Sequence, residues 1–176
     1  MRTEPVAEAM PPRGRGTEVD GGVETTLDWA KVTERLSRGG RYWLATVRPD
    51  GSPHVMPVFA VWSASAMYVV SKDSARKSRN LDSDGRCVIT TEASDAHLIL
   101  EGEARRVRDH ETLERVSGAF ETAYGWPTTV SGEELDAPYG APTSGGPPYR
   151  VYEITPKKGF GFPAEGTFMP TRWRFS

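Results

Sequence analysis

The chain has 176 residues, of which 37% are hydrophobic, and a formal net charge of −2. That length is most simply one domain around one sizeable core, and the near-neutral charge gives no global field to gather nucleic acid. The single cysteine, Cys87, excludes a disulfide framework within the chain, so a reducing, cytoplasmic setting is expected. No apolar run reaches the ~20 residues of a membrane-spanning helix, and no membrane partner is expected.

In chain order, residues 1–24 are polar and rich in Gly and Pro, without the apolar stretch of a secretory signal. They are expected to form a disordered tail ahead of one domain over 25–176. A first helix is predicted from Thr26 to Arg38, capped by Thr26, striped by Leu27, Val32 and Leu36, and ended by Gly39-Gly40. Tyr42 to Val47 reads as a strand. Pro49-Asp50-Gly51 is a turn, because proline presets φ and glycine accepts φ > 0. His54 to Trp62 is the second strand and Met67 to Ser71 the third. Ser74 to Leu81 reads as a short helix capped by Ser74 or Asp73, broken by the Asp-rich turn through Gly85.

Arg86 to Thr91 and His97 to Val107 are further strands; in the latter, Leu98, Leu100, Gly102 and Ala104 alternate with polar or outward residues. Asp109 caps a helix through Tyr124, with Leu113, Val116 and Phe120 on one face. Residues 125–148 form a Gly/Pro-rich loop too long for a plain connector, which points to a functional or mobile element. Tyr149 to Thr155 is a late strand, and Gly159 to Phe162 offers another. Antiparallel strands on short connections, with two or three helices, indicate a small barrel with peripheral helices.

Ser71, Lys72, Ser74, Arg76, Lys77, Ser78 and Arg79 form a basic, hydroxyl-bearing segment at a strand end. Such a segment suits a phosphorylated ligand, since a helix start adds free N–H groups to the cations. A solvated helix face explains it equally well. His54, His97 and His110 lack metal-ligand spacing, so no metal site is expected. No nucleophile, P-loop or dinucleotide motif is present. Trp43, Phe59, Trp62 and Tyr68 fit a core or a dimer interface. Trp126, Tyr139, Phe168 and Trp173 lie in Gly/Pro-rich segments and either close over a planar ligand or pin the loops.

The run LATVRPDGSPHVMPV, the strand MYVVSK, and SARKSRNLDSDGRCVI, in that order, resemble the pyridoxamine 5′-phosphate oxidase-like family of split barrels. HLILEGEARRV and DHETLERV also fit its plan. The likeness is nearest to the actinobacterial deazaflavin-dependent branch. The resemblance implies a mainly β fold, a six-stranded antiparallel split β-barrel of FMN-binding type with peripheral α-helices, assembled as a homodimer. It implies the deazaflavin coenzyme F-420 or FMN as cofactor, with hydride exchanged with a small organic substrate and no obligatory catalytic side chain. His54, Met56, Pro57 and Val58 would flank the ring; Ser71, Lys72, Ser74, Arg76 and Lys77 would hold the phosphate. Trp126, Tyr139 and Trp173 are expected as a wall of the substrate pocket. A non-catalytic carrier of flavin, deazaflavin or haem is the alternative. TRWRFS departs from the arginine-rich motif of true pyridoxamine phosphate oxidases, which counts against that specific activity.

Overall fold

In the computed structural model, which describes residues 4–10, 25–93, 95–141, 145–165 and 167–176, buried and more exposed residues alternate along β2 and much of β7. Strand β1 is Val6–Ala9, helix α1 Trp29–Ser37, β2 Tyr42–Val47, β3 Pro53–Val58, β4 Ala60–Ser63 and β5 Ala66–Ser71. Helix α2 is Arg76–Ser83, followed by β6 Arg86–Ala93, β7 Ala96–Val107 and α3 His110–Tyr124. The last elements are β8 Thr129–Ser131, β9 Glu134–Asp136, β10 Arg150–Pro163 and β11 Thr171–Arg174.

The antiparallel sheet runs β1-β11-β10-β7-β6-β2-β3, and β5 joins β10 to β4. The expected second strand, residues 54–62, is broken at Phe59. Its first half pairs with β2 and its second half with β5. One chain segment thus bridges the two ends of the curled sheet and closes a barrel of six strands: β2, the β3–β4 segment, β5, β6, β7 and β10. This is the mainly β split barrel expected from the sequence.

Strand β10 merges the two late strands predicted separately. It pairs with β7 along its length, while its other edge serves β5 from Arg150 to Ile154 and β11 from Lys158 to Gly161. The register with β7 shifts between Pro156 and Lys158. Pro156 has no N–H to donate, which suits an irregularity in the ladder, and the opposite edge changes partner over the same residues.

Three local expectations are corrected. Helix α1 begins at Trp29, with the Asp28 side chain accepting from Ala30 N. Thr26 instead bridges to Met169, and Leu27 N donates to Thr171 Oγ1, so this stretch is held by the C-terminal segment and cannot wind. Within the expected tail, Val6–Ala9 form β1 on β11; residues 11–24 lie outside those described. Residues 125–148 include the β8–β9 hairpin, whose Leu135 exchanges backbone hydrogen bonds with Tyr149. Helix α3 agrees with its prediction: Asp109 accepts from Thr112 N, and Gly125 closes it at φ +60.

The core has two parts. Leu44, Ile89, Leu98, Leu100, Tyr152, Ile154 and Trp173 fill the barrel. Val61, Tyr68, Val70, Leu113, Val116, Phe120, Trp126 and Tyr149 pack between the barrel and α3. Strand β5 is buried along its whole length because it lies between them. Among the described residues, no helix is long and apolar enough to cross a membrane.

Trp173 rests on glycines: a Cβ at Gly161 would stand 2.6 Å from its Cη2. Gly161→Ala is therefore expected to cost about 1–3 kcal/mol through overpacking. Trp173→Ala should cost about 3–5 kcal/mol through the cavity it leaves. Equilibrium denaturation of both variants checks this pair of values.

Candidate functional site

Strand β5 ends at Ser71, and the chain turns through residues 72–75 into α2. The Ser78 hydroxyl donates to the Lys72 carbonyl oxygen at 2.6 Å and lies 2.8 Å from Ser71 Oγ. These contacts fold the basic segment back onto the strand end. The predicted caps are corrected: α2 begins at Arg76 with Ala75 at the cap position and no side-chain cap bond. Asp73 is drawn away by Arg150, and Ser74 is exposed in the turn.

Helix α2 turns Lys77, Ser78, Asn80 and Leu81 inward. Lys77 is only 6% exposed, and among the described residues its ammonium has no hydrogen bond or ion pair. Burial alone lowers its pKa. Its ammonium is not among the fully enclosed polar atoms that lack a partner, so it meets the surface at the end of a buried stem, and a partly desolvated cation of this kind favours an anion. Lys72, Arg76 and Arg79 likewise form no ion pair among the described residues, whereas Arg48, on the β2–β3 turn, lies close enough to Asp50 to lower its pKa. Arg48 and Arg76 line a groove of about 470 Å³ with Pro49 and Asp50. Asp50 is turned to its own hairpin, accepting from Ser52 N and Ser52 Oγ.

Beside the cations runs β3, the terminal strand of the sheet path. Asn80 Nδ2 donates to Thr46 Oγ1 at 2.9 Å, and Thr46 Oγ1 donates to the His54 carbonyl at 3.3 Å. The His54 ring Nδ1 stands 3.5 Å from the same hydroxyl. Burial lowers the His54 pKa, and Arg48, Lys77 and Arg76 lower it further. The ring therefore sits in the field of Arg48, Lys77 and Arg76. The buried Oδ1 of Asn80 has no partner. Met56 is exposed, Pro57 half-buried and Val58 buried along the same strand.

All nine expected cofactor residues thus lie on two neighbouring pieces of chain, β3 and the β5–α2 turn. The expected aromatic wall does not assemble. Trp173 is buried in the barrel core against Trp29, while Trp126 is buried in the other cluster, edge-on to Phe59, Phe120 and Tyr149. Burial of their large apolar surface draws both into core packing. Only Tyr139 keeps a solvent face, at 54% exposure; its hydroxyl donates to Gly125 O, and its own carbonyl accepts from Trp126 Nε1. Phe168 also belongs to the barrel core.

Sequence reasoning missed Thr46, Arg48, Asn80 and Arg150. Asn80 was within reach, since a spacing of three from Lys77 puts both on one helix face. Arg48 and Arg150 come from distant strands and reach the site only through register. Cys87 is buried, with its thiol pushed up to about 12 by burial, and it takes no part in the site. Among the described residues, no three potential ligand side chains gather to hold a metal.

A sequence profile of the pyridoxamine 5′-phosphate oxidase family matches residues 29–161. The chain belongs to that family. The match includes every strand of the barrel and the whole cradle, whereas TRWRFS falls beyond it. No curated protein matches the chain. Solved structures of the same fold include the conserved hypothetical protein Rv2991 from Mycobacterium tuberculosis, 19% identical, with a TM-score of 0.59 over 78% of this chain and 86% of that one. A nimC/nimA family protein from Clostridium acetobutylicum is 18% identical, with a TM-score of 0.57 over 82% of this chain and 90% of that one. A protein titled "F420 Reductase" is 18% identical, with a TM-score of 0.50 over 70% of this chain and 91% of that one.

Within this family frame, Lys77→Met should raise the melting temperature of the ligand-free protein, because it removes an unpaired buried charge. The same variant should lose about 1.5–3 kcal/mol of phosphate-cofactor binding, roughly ten- to a hundred-fold. Calorimetry and a binding titration measure the two effects.

His54 gives a pH dependence. Its folded pKa lies below the ordinary 6.5, so the native state binds fewer protons than the unfolded one. That contribution to stability is present above pH 6.5 and is lost as pH falls through the folded value. Inorganic phosphate, by offsetting the neighbouring cations, should move the His54 midpoint upward in an NMR titration.

Proposed function

We propose that the chain binds a phosphorylated flavin or deazaflavin and transfers hydride between it and a small organic substrate. Coenzyme F-420 is favoured over FMN. The observation that carries this reading is Lys77, 6% exposed as a residue and without a hydrogen bond or ion pair among the described residues, beside Lys72, Arg76 and Arg79 at the end of β5. Family membership and the likeness to the protein titled "F420 Reductase" support the choice of cofactor.

In this reading Ser71, Lys72, Ser74, Arg76 and Lys77 hold the phosphate, with Lys77 as its buried contact. The backbone of His54, Met56, Pro57 and Val58 flanks the ring. The Asn80–Thr46–His54 chain of hydrogen bonds fixes that strand against α2, so ring and phosphate seats keep one spacing. Bound there, the cofactor supplies the hydride chemistry. The protein binds and orients it, and Met56 and Pro57 shield it from water. Absorbance spectra of purified protein with FMN or coenzyme F-420 separate the two cofactors. Turnover of the reduced cofactor separates an enzyme from a carrier, and a bound cofactor that never turns over overturns the enzymatic reading.

We also propose that the protein works as a homodimer. On the outer face of β2 and β3, Trp43 and Val55 are each 52% exposed. Trp43 lies across from Pro57 and Thr90, Ala45 across from Val55 and Val88, and Thr90 across from Ile99. A continuous apolar sheet face of this kind favours a covering surface, and a second copy laid on it would border the strand that flanks the ring. Light scattering is expected to give twice the chain mass, and the pair Trp43→Arg with Val55→Glu to give a folded monomer with weakened cofactor binding. A wild-type monomer that binds cofactor tightly overturns the dimer.

A further inference from the structure

The segment from Ser71 to Ser83 carries four cations, Lys72, Arg76, Lys77 and Arg79, and two acids, Asp73 and Asp82. None of those cations pairs with either acid. Both acids go to Arg150 instead. Arg150 opens β10 directly across from Ser71. Its Nη2 lies 2.5 Å from Asp73 Oδ1 and its Nη1 2.9 Å from Asp82 Oδ2. Asp73 precedes α2 and Asp82 lies in its last turn, so one guanidinium spans both ends of the cationic segment.

The guanidinium is itself held in place. Glu134 Oε1 of the β8–β9 hairpin lies 3.6 Å from Arg150 Nε and 3.3 Å from Arg106 Nη2. Tyr152, two residues along β10, donates its hydroxyl to Asp82 Oδ1 at 3.0 Å. The Arg150 side chain is 18% exposed, while those of Asp73 and Asp82 are 69% and 42% exposed. The acids could therefore swing toward other cations if Arg150 were absent. A planar guanidinium can serve two carboxylates at once, which a single ammonium does poorly.

We infer that Arg150 is a positioning residue for the anion cradle: it withdraws Asp73 and Asp82 from Lys72, Arg76, Lys77 and Arg79 and leaves those charges free for a phosphate. The inference rests on the cradle reading above. Without Arg150, Asp73 and Asp82 become intramolecular competitors that a phosphate must displace. Their exposure screens the competition, so the effect is graded rather than all-or-none.

The test uses FMN or coenzyme F-420, whichever the full-length wild-type protein takes up, together with the phosphate-free form of that cofactor. Binding is followed by fluorescence at low and high salt. Arg150→Met is expected to weaken the phosphate-bearing cofactor by several-fold to about ten-fold at low salt, less at high salt, with the phosphate-free form little changed. Adding Asp73→Asn and Asp82→Asn to Arg150→Met is expected to restore affinity, because neutral amides no longer compete. Equal weakening of both cofactor forms, no weakening, or no rescue overturns the inference. If Arg150→Met does not fold, Arg150→Lys carries the same comparison and the same rescue. Lys77→Met serves as the separate control: unchanged phosphate affinity there sinks the cradle reading itself, whatever Arg150 does.

Discussion

Strand β10 serves three neighbours, and its register with β7 shifts between Pro156 and Lys158, where its other edge passes from β5 to β11. Before that point it completes the barrel against β5; after it, it carries β11 and, through β11, β1. Its other edge never leaves β7. The two halves of the strand therefore have different duties. The first half carries Arg150 to the end of β5 and Tyr152 to Asp82. The second half presents Gly159 and Gly161 to the face of Trp173. Site and core closure thus lie on one strand, on either side of the shift in its register with β7.

Charge is sorted around that frame. The sequence as a whole is close to neutral, yet among the described residues the cations of the β5–α2 turn form no ion pair with an acid. The nearby carboxylates are gathered by Arg150 and Arg106 on the side of the β8–β9 hairpin. Desolvation raises the stakes of this sorting, because a charge at the position of Lys77 has little water to fall back on. A protein that only needed a stable barrel would gain from an apolar residue there. An ammonium held there on a buried stem leaves a partly desolvated charge open to an anion.

Much of this was legible in sequence where the signal is local. Apolar runs between turn signals identified β2 and β6, alternation identified β7, and Asp109 marked the start of a helix read through Tyr124. Both stretches of the candidate site were named from the order of hairpin, strand and basic helix, and the structure places them side by side. The failures share one cause, which is that distant chain overrode local preference. Thr26 is a good cap by composition, but Met169 and Thr171 hold its segment extended. Asp73 is a good cap too, but Arg150 takes its carboxylate. Trp126 and Trp173 lie in segments without local packing partners, and each finds a core made by other parts of the chain. Sequence periodicity reports which residues share an element; it does not report which elements meet.

The β1–β11 pair bears on the order of events during synthesis. Glu8 and Arg172 form their ion pair across 164 residues of chain. Strand β1 is therefore made early and can find its partner only after nearly everything between them has been translated. Trp29 waits in the same way for Trp173 and Phe175. Until then one end of the barrel core exposes aromatic surface, and loop closure over such a span is slow. The nascent chain passes through a long interval in which its barrel strands are present but its aromatic seal is not, and that interval is when it is most exposed to chaperones and to aggregation.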